Sequence, residues 1–186
     1  MGREVRKVPA NWVHPRDQRG NHIPLFGRSY AKETADWDEG ERQWKAGFRS
    51  QTVWHDGGGY HEEWIPKEPE YHEARICDDG RYRVMTYADW AGARPAMSDY
   101  MPDWPNELRT HLQMYETTSE GTPISPVMDT PEALARWLAD NNASAFANMT
   151  ATYEQWLATI NRGFAPSAVI AHGQMESGVA ALADDA

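Results

Sequence analysis

Proline and glycine limit where helices can form in this chain. From residue 9 onward, five of them interrupt the first 28 residues: Pro9, Pro15, Gly20, Pro24 and Gly27. Because the proline ring fixes φ and removes the amide hydrogen, proline blocks the interior of a helix. We therefore expect residues 1–28 to form an extended arm. Residues 49–80 are predicted to be a variable, loop-rich insert. They contain three adjacent glycines and two prolines: Gly57, Gly58, Gly59, Pro66 and Pro69.

Four segments between these interruptions carry apolar side chains at helical spacing. They are residues 30–48, 104–115, 130–141 and 150–162. The last two also have strong boundary signals. Thr130 and Pro131 suit the start of the third segment, and Gly163 follows the end of the fourth. The sequence therefore predicts about four helices.

Shorter segments are typical of strands. Residues 81–87 alternate in polarity, and residues 167–172 are followed by a segment, 174–179, that suits the return of a hairpin. The predicted fold class is therefore α+β, with a small antiparallel sheet or hairpin. We expect an arm over residues 1–28 and a single compact domain over residues 29–186.

The distribution of charge limits the kind of partner. The chain carries a net charge of -10 at pH 7. Residues 1–28 are the exception, with six basic and two acidic side chains. An acidic surface repels the phosphate backbone of a nucleic acid. We therefore expect no direct nucleic-acid binding except through the basic arm.

Cysteine content and hydropathy indicate the compartment. Cys77 is the only cysteine in the sequence, so no disulfide can form within the chain. The first residues lack the apolar core of a signal peptide, and no apolar stretch approaches the roughly 20 residues that a membrane-spanning helix needs. We therefore expect an intracellular protein that does not contact a membrane.

The middle of the chain is rich in histidine. Four side chains there are candidate metal ligands: His55, His61, His72 and Cys77. Zinc takes three or four nitrogen, sulfur or oxygen ligands, but the spacing here matches no compact ligand pair. A polar surface loop without a cofactor is the preferred interpretation, and a zinc site is the alternative. An enzyme would use these histidines with Glu62, or the loop Thr117–Ser125.

Aromatic residues are abundant, with nine Trp and eight Tyr. This exceeds what a core of this size needs, so some of the rings should be exposed, and exposed Trp and Tyr mark binding surfaces. We therefore predict recognition rather than catalysis. The candidate binding residues are Arg3, Arg6, Trp12, Glu116, Thr118 and Glu120.

Three stretches of the sequence are distinctive. They are MGREVRKVPANWVHPRD at residues 1–17, MYETTSEGTPISPVMDTPEALARWLADNNASAF at 114–146 and GFAPSAVIAHG at 163–173. They resemble a family of small acidic proteins encoded by tailed bacteriophages and prophages. The resemblance covers residues 1–28 and about 84–182, and leaves 50–80 as a variable insert. It implies a viral gene product made in the cytoplasm of a bacterial host, but it supplies no activity.

These observations favour a non-catalytic phage accessory protein that binds a host or phage macromolecule. One concrete form is an anti-CRISPR-like inhibitor of a host defence system, whose acidic face would occupy a basic nucleic-acid channel. The expected partner is then a protein, such as a nucleic-acid-binding host complex. A small metal- or nucleotide-dependent enzyme that uses the histidine-rich middle is the first alternative. A virion assembly component is the second.

Overall fold

Short helices and several small antiparallel sheets make up the chain in a computed structural model. The structure describes residues 2–117, 121–171 and 174–182. Within these ranges lie five α-helices and four separate sheets. The predicted α+β class is therefore confirmed. None of the helices in these ranges is long and apolar enough to cross a bilayer.

Contacts between residues divide the chain into two units. Unit one contains the described residues of Met1–Gly27 and Ser98–Ala186, and unit two is Arg28–Met97. This division differs from the predicted arm over 1–28 and domain over 29–186. The predicted arm is extended, but it is part of unit one because its first strand, β1 (Gly2–Val8), pairs with two other strands.

Unit one is built on a four-stranded antiparallel sheet in which β1 is an interior strand. The order across the sheet is β7 (Thr122–Pro123), β6 (His111–Glu116), β1 and β8 (Phe164–Pro166). Val5 lies opposite Met114 of β6, and Glu4 lies opposite Phe164 of β8. The chain passes close to β8 at Gly2, where a Cβ would lie 1.9 Å from the Ala165 carbonyl oxygen.

The predicted helix over residues 104–115 is wrong. Its second half is strand β6, and only a short 3-10 turn, Asn106–Leu108, precedes it. Met114 and Tyr115 of β6 are both fully buried, each in a different core cluster. Successive side chains of a strand point to opposite faces, so β6 is apolar on both faces of the sheet. The sequence of such a strand does not alternate between apolar and polar residues, and its apolar residues can by chance be spaced as in a helix.

The two helices predicted near residues 130–141 and 150–162 are confirmed. Helix α3 is Pro131–Asp140, and the Thr130 hydroxyl accepts a hydrogen bond from the Ala133 amide. Helix α4 is Tyr153–Arg162, and it ends at Gly163, which has a left-handed φ of 94°. The cap residues determine both ends because they satisfy backbone groups that the helix leaves unpaired.

Both helices contribute to the larger of the two buried clusters of unit one. Its main side chains are Met114, Leu134, Leu138, Trp156, Ile160 and Ala165. A hairpin of β9 (Ala168–Ala171) and β10 (Gln174–Ser177) follows, and then helix α5 (Gly178–Ala181). The strand pair predicted after residue 167 is therefore confirmed. Its predicted turn, His172 and Gly173, lies outside the described residues.

Unit two begins with helix α1 (Tyr30–Lys45), which confirms the predicted helix from its start but ends before the predicted residue 48, because Phe48 already belongs to a strand. The region 49–80 is not loop-rich throughout. It contains the hairpin β2 (Phe48–Trp54) and β3 (Tyr60–Pro66), a 3-10 turn at Pro69–His72, and β4 (Ala74–Ile76), which pairs with β5 (Tyr82–Val84). Helix α2 (Tyr87–Ala91) completes the unit. The first hairpin is largely exposed, so its strands carry little of the apolar alternation that indicates a half-buried strand.

Aromatic rings around Trp44 form the centre of unit two. The Trp44 ring lies 5.9 Å from that of Trp90 and 5.7 Å from that of Tyr71, and its indole nitrogen donates to the Met85 carbonyl. One turn earlier on α1, Gly40 allows the Tyr87 side chain to approach. A Cβ on Gly40 would lie 2.0 Å from the Tyr87 hydroxyl oxygen. The aromatic packing therefore explains a glycine in the middle of this helix.

Gly40→Ala should destabilise the protein. Alanine in a helix interior normally gains about 1 kcal/mol over glycine, but overpacking costs about 1–3 kcal/mol. We expect the Gly40→Ala variant to lose about 1 kcal/mol of unfolding free energy, measured by urea denaturation, and Gly40→Ala with Tyr87→Phe to recover part of it. Gly57→Ala is the control, because no atom lies within 4 Å of the added Cβ. A stabilised Gly40→Ala variant would contradict this packing.

Candidate binding surfaces of the two units

A pocket of about 540 Å³ opens on unit one. The indoles of Trp12 and Trp137, the segment Pro123–Val127 and several polar side chains line it. The polar groups are those of His14, Arg16, His22 and Gln113. Ligand pockets in proteins are typically of this size, mostly apolar, and carry a few placed polar groups.

Local structure determines how the N-terminal segment lines the pocket. The Trp12 amide donates to the Pro9 carbonyl in a turn that ends β1, and the Trp12 ring packs edge-on against Trp104 at 4.7 Å. The following loop closes where Arg16 and His22 pair as an isolated bridge. Asp17 holds the tip of this loop, since its carboxylate accepts from the amides of Arg19 and Asn21. The loop that carries the basic groups is therefore ordered by its own hydrogen bonds.

The Tyr115 hydroxyl is the centre of a buried polar network beside the pocket. It accepts from the Trp12 indole nitrogen at 3.1 Å and donates to the Gln113 amide oxygen at 2.8 Å. His14 Nδ1 lies 3.3 Å from the same hydroxyl. The Arg6 guanidinium lies 4.3 Å from the centre of the Tyr115 ring. Two segments that are distant in sequence, residues 6–14 and strand β6, thus meet at one phenol.

Burial controls the protonation of this network. Desolvation raises the pKa of Tyr115 to about 12, so its hydroxyl keeps its proton at neutral pH. Desolvation also lowers the pKa of His14, and the nearby His22, Arg6 and Arg16 lower it further by charge repulsion. The pKa of His22 is lowered by burial and by Arg16.

The structure places the six predicted binding residues in different environments. Trp12 lines the pocket. Arg6 is buried, where it donates to the Leu25 carbonyl and pairs with Glu4. Thr118 and Glu120 lie outside the described residues. The residues Gln113 and Tyr115 were not predicted, because no local motif links them to the Trp12 segment.

Arg3 and Glu116 form an ion pair rather than an exposed binding surface. Arg3 is only 2 % exposed, and its guanidinium lies 2.9 Å from the Glu116 carboxylate. Its Nε donates to the Ser144 carbonyl and its Nη2 to the Ser144 hydroxyl. Arg3 therefore ties β1 to β6 and to the segment after α3, and its role is structural.

The β2–β3 hairpin presents one exposed aromatic face, which we call the aromatic face. Its rings are those of Phe48, Trp54, Tyr60 and Trp64. Trp54 is 73 % and Tyr60 61 % exposed, although the two residues are paired across the strands with ring centres 5.1 Å apart. Trp54 and Trp64 of this hairpin are therefore exposed, as expected of some Trp side chains, and so is Trp90 of α2.

The candidate zinc ligands come together only in part. His55 Nε2 and His61 Nδ1 lie 3.0 Å apart on the hairpin. His72 lies in the 3-10 turn after β3, and Cys77 is buried with its sulfur near the Arg75 carbonyl. In the described part of the chain, no three His, Cys, Asp or Glu side chains lie close enough to hold a metal. The two paired histidines alone supply fewer ligands than zinc requires.

No family model, curated protein or solved structure matches this chain. The resemblance to proteins of tailed bacteriophages therefore stays a prediction, and the candidate sites stand on their geometry alone.

Removing Arg3 should destabilise unit one. Arg3→Ala removes the hydrogen bonds of Arg3 to the Ser144 carbonyl and to the partly buried Glu116 carboxylate, and losing one partner of a buried pair costs about 3 kcal/mol. We expect this loss in urea denaturation, with a smaller loss for Glu116→Gln because Glu116 is 33 % exposed. Arg19→Ala, at an exposed position, is the control. Equal stability of Arg3→Ala and Arg19→Ala would contradict the structural role of Arg3.

Proposed function

We propose that this chain is a non-catalytic bacteriophage protein that acts in the cytoplasm of a bacterial host by binding a basic protein. A nucleic-acid-binding complex of a host defence system is the concrete form of such a partner. The aromatic face of the β2–β3 hairpin is the observation that carries the proposal. Its Trp54 and Tyr60 rings are paired at 5.1 Å and largely exposed.

The strand register supports a preformed contact surface. Trp54 lies opposite Tyr60 and Trp64 lies opposite Ser50, so the rings project from one side of the hairpin. Between them the Thr52 hydroxyl donates to the Glu62 carboxylate, which holds the polar centre of the face in place. Large, rigid aromatic side chains bury much area at low entropic cost, and they dominate binding energy at many protein interfaces.

The charge around the aromatic face favours a basic partner. Glu62 lies on this face and Asp56 lies in the turn of the hairpin, and both carboxylates are exposed. Glu63, next to Glu62 in β3, is exposed on the other face. The one arginine of the two strands, Arg49, is paired with Glu68 through two hydrogen bonds. Aromatic rings attract Arg and Lys side chains through cation–π interactions, and the carboxylates add to that attraction. A phosphate backbone would be repelled by the same groups.

Trp54→Ala should weaken partner binding about tenfold or more, since truncating a central aromatic residue at an interface often costs 2 kcal/mol or more. The measurement is affinity capture from lysate of the bacterial host after nuclease treatment, with quantification by mass spectrometry. Tyr82→Ala is the matched control, because Tyr82 is 74 % exposed in β5 of the same unit.

The expected result is a basic protein that wild type and Tyr82→Ala retain and Trp54→Ala loses. Raising the salt concentration should weaken retention, because charge attraction contributes to it. Equal capture by Trp54→Ala, or a partner lost after nuclease treatment, would contradict the proposal.

A further inference from the structure

We infer that the pocket of unit one binds a small planar aromatic carboxylate and that this binding is coupled to protonation of His14. The inference is independent of the aromatic face on unit two. It rests on three observations: the charge of the pocket lining, its two indoles, and the number of protons available in the network around Tyr115.

The pocket is basic although the chain is acidic. The chain contains 28 Asp and Glu residues, yet none of the described residues that line the pocket is one of them. The groups that can carry charge there are Arg16, His14 and His22. The Arg16 Nη1 donates to the Gly20 carbonyl, and a guanidinium has five N–H donors in all. Such a lining selects an anion, and a carboxylate matches the planar donor geometry of arginine.

The apolar part of the pocket selects a flat ring. Trp12 and Trp137 supply indole surfaces, and the segment Pro123–Val127 supplies further apolar contacts. Aromatic ligands pack on such rings in offset or edge-on geometry. A volume of about 540 Å³ holds a one- or two-ring acid.

The hydrogen-bond partners determine where each proton lies. His14 Nε2 is 2.7 Å from the Ile23 carbonyl, which only accepts, so Nε2 carries a proton. The Gln113 amide nitrogen donates to the Ser125 carbonyl, so the Gln113 oxygen faces Tyr115. The Trp12 indole nitrogen only donates. These three contacts fix the directions of the remaining bonds at the Tyr115 hydroxyl.

When His14 is neutral, the Tyr115 hydroxyl faces two hydrogen-bond acceptors but has only one proton to donate. The His14 Nδ1 is then an acceptor at 3.3 Å from the Tyr115 hydroxyl, while the Gln113 oxygen is an acceptor at 2.8 Å. The hydroxyl donates this proton to the Gln113 oxygen, because that contact is the shorter of the two. Among the residues that the structure describes, no group then donates a hydrogen bond to the buried Nδ1, which is unfavourable.

Protonated His14 completes the network. Nδ1–H then donates to the Tyr115 oxygen, which also accepts from Trp12 and donates to Gln113. The cost is a buried positive charge. The titratable and charged groups that face His14 in the described chain are Arg6 of β1, Arg16 and His22 of the loop, and Tyr115 of β6. The nearest anion to this network is Glu4 of β1, which is paired with Arg6 and does not contact His14. A bound carboxylate would supply a negative charge that no described group facing His14 provides.

Ligand binding and proton uptake are therefore linked. The environment lowers the pKa of His14 in the empty pocket, and a bound carboxylate raises it again. At a pH between the pKa of His14 in the free protein and its higher pKa in the complex, the complex holds more protons than the free protein. The affinity therefore rises as the pH falls through this interval, and it levels off below the pKa of the empty state. An aromatic carboxylic acid stays ionised throughout this interval because its own pKa is about 4.

The test uses the full chain and two matched probes, 2-naphthoate and its neutral analogue 2-naphthamide. Isothermal titration calorimetry between pH 8 and pH 6 should show naphthoate binding at least about tenfold more tightly than naphthamide, a difference of about 1.4 kcal/mol. The naphthoate affinity should rise toward low pH. Titrations in two buffers of different ionisation enthalpy should show uptake of up to one proton per ligand.

Variants separate the roles of the two histidines and the arginine. His14→Gln should remove the pH dependence and the proton uptake, whereas His22→Gln should keep most of both. Arg16→Gln should weaken naphthoate binding about tenfold and retain the pH dependence. Arg19→Gln is the control, since Arg19 lies in the same loop but does not line the pocket.

Three results would overturn the inference. They are no naphthoate binding at millimolar concentration, equal affinity for naphthoate and naphthamide, and binding without proton uptake by the wild-type protein. The last measurement needs no variant, so the inference stays testable even if His14→Gln does not fold.

Discussion

The pairing of β1 at the interior of its sheet is the interaction on which unit one depends. This strand, residues 2–8, hydrogen-bonds to β6 on one side and to β8 on the other. Its partners lie more than a hundred residues later in the sequence, so the sheet of unit one closes only when these distant segments meet. Arg3 strengthens this closure because it ties β1 to Glu116 and to Ser144. The cost of closing so long a loop grows only slowly with its length.

The two faces of β6 explain why a stable core and a polar pocket occur side by side. Met114 points toward helices α3 and α4 and joins their apolar cluster. Gln113 and Tyr115 lie on the other face, since side chains alternate along a strand. Tyr115 brings a phenol into a buried cluster with Val8, Leu25 and Met101. A hydroxyl in such a place needs partners, and Trp12, His14 and Gln113 provide them.

Sequence patterns predicted the elements whose signals are local. Helices α3 and α4 each have a threonine cap and one apolar face, and both were found near the expected boundaries. Strand β6 was missed because it is buried on both faces, and β2 and β3 because they are exposed on most positions. Of the candidate site, Trp12 was predicted from its ring alone. His14 and Tyr115 could not be predicted as site residues, since only the tertiary fold brings their two segments together.

The chain leaves unit one at Gly27 and re-enters it at Ser98. Two backbone hydrogen bonds join the chain at these two points. The Phe26 amide donates to the Asp99 carbonyl, and the Met101 amide donates to the Phe26 carbonyl. Unit two is thus one continuous insertion in the chain of unit one. An insertion, a deletion or even an exchange of sequence within residues 28–97 therefore leaves every strand of the four-stranded sheet intact.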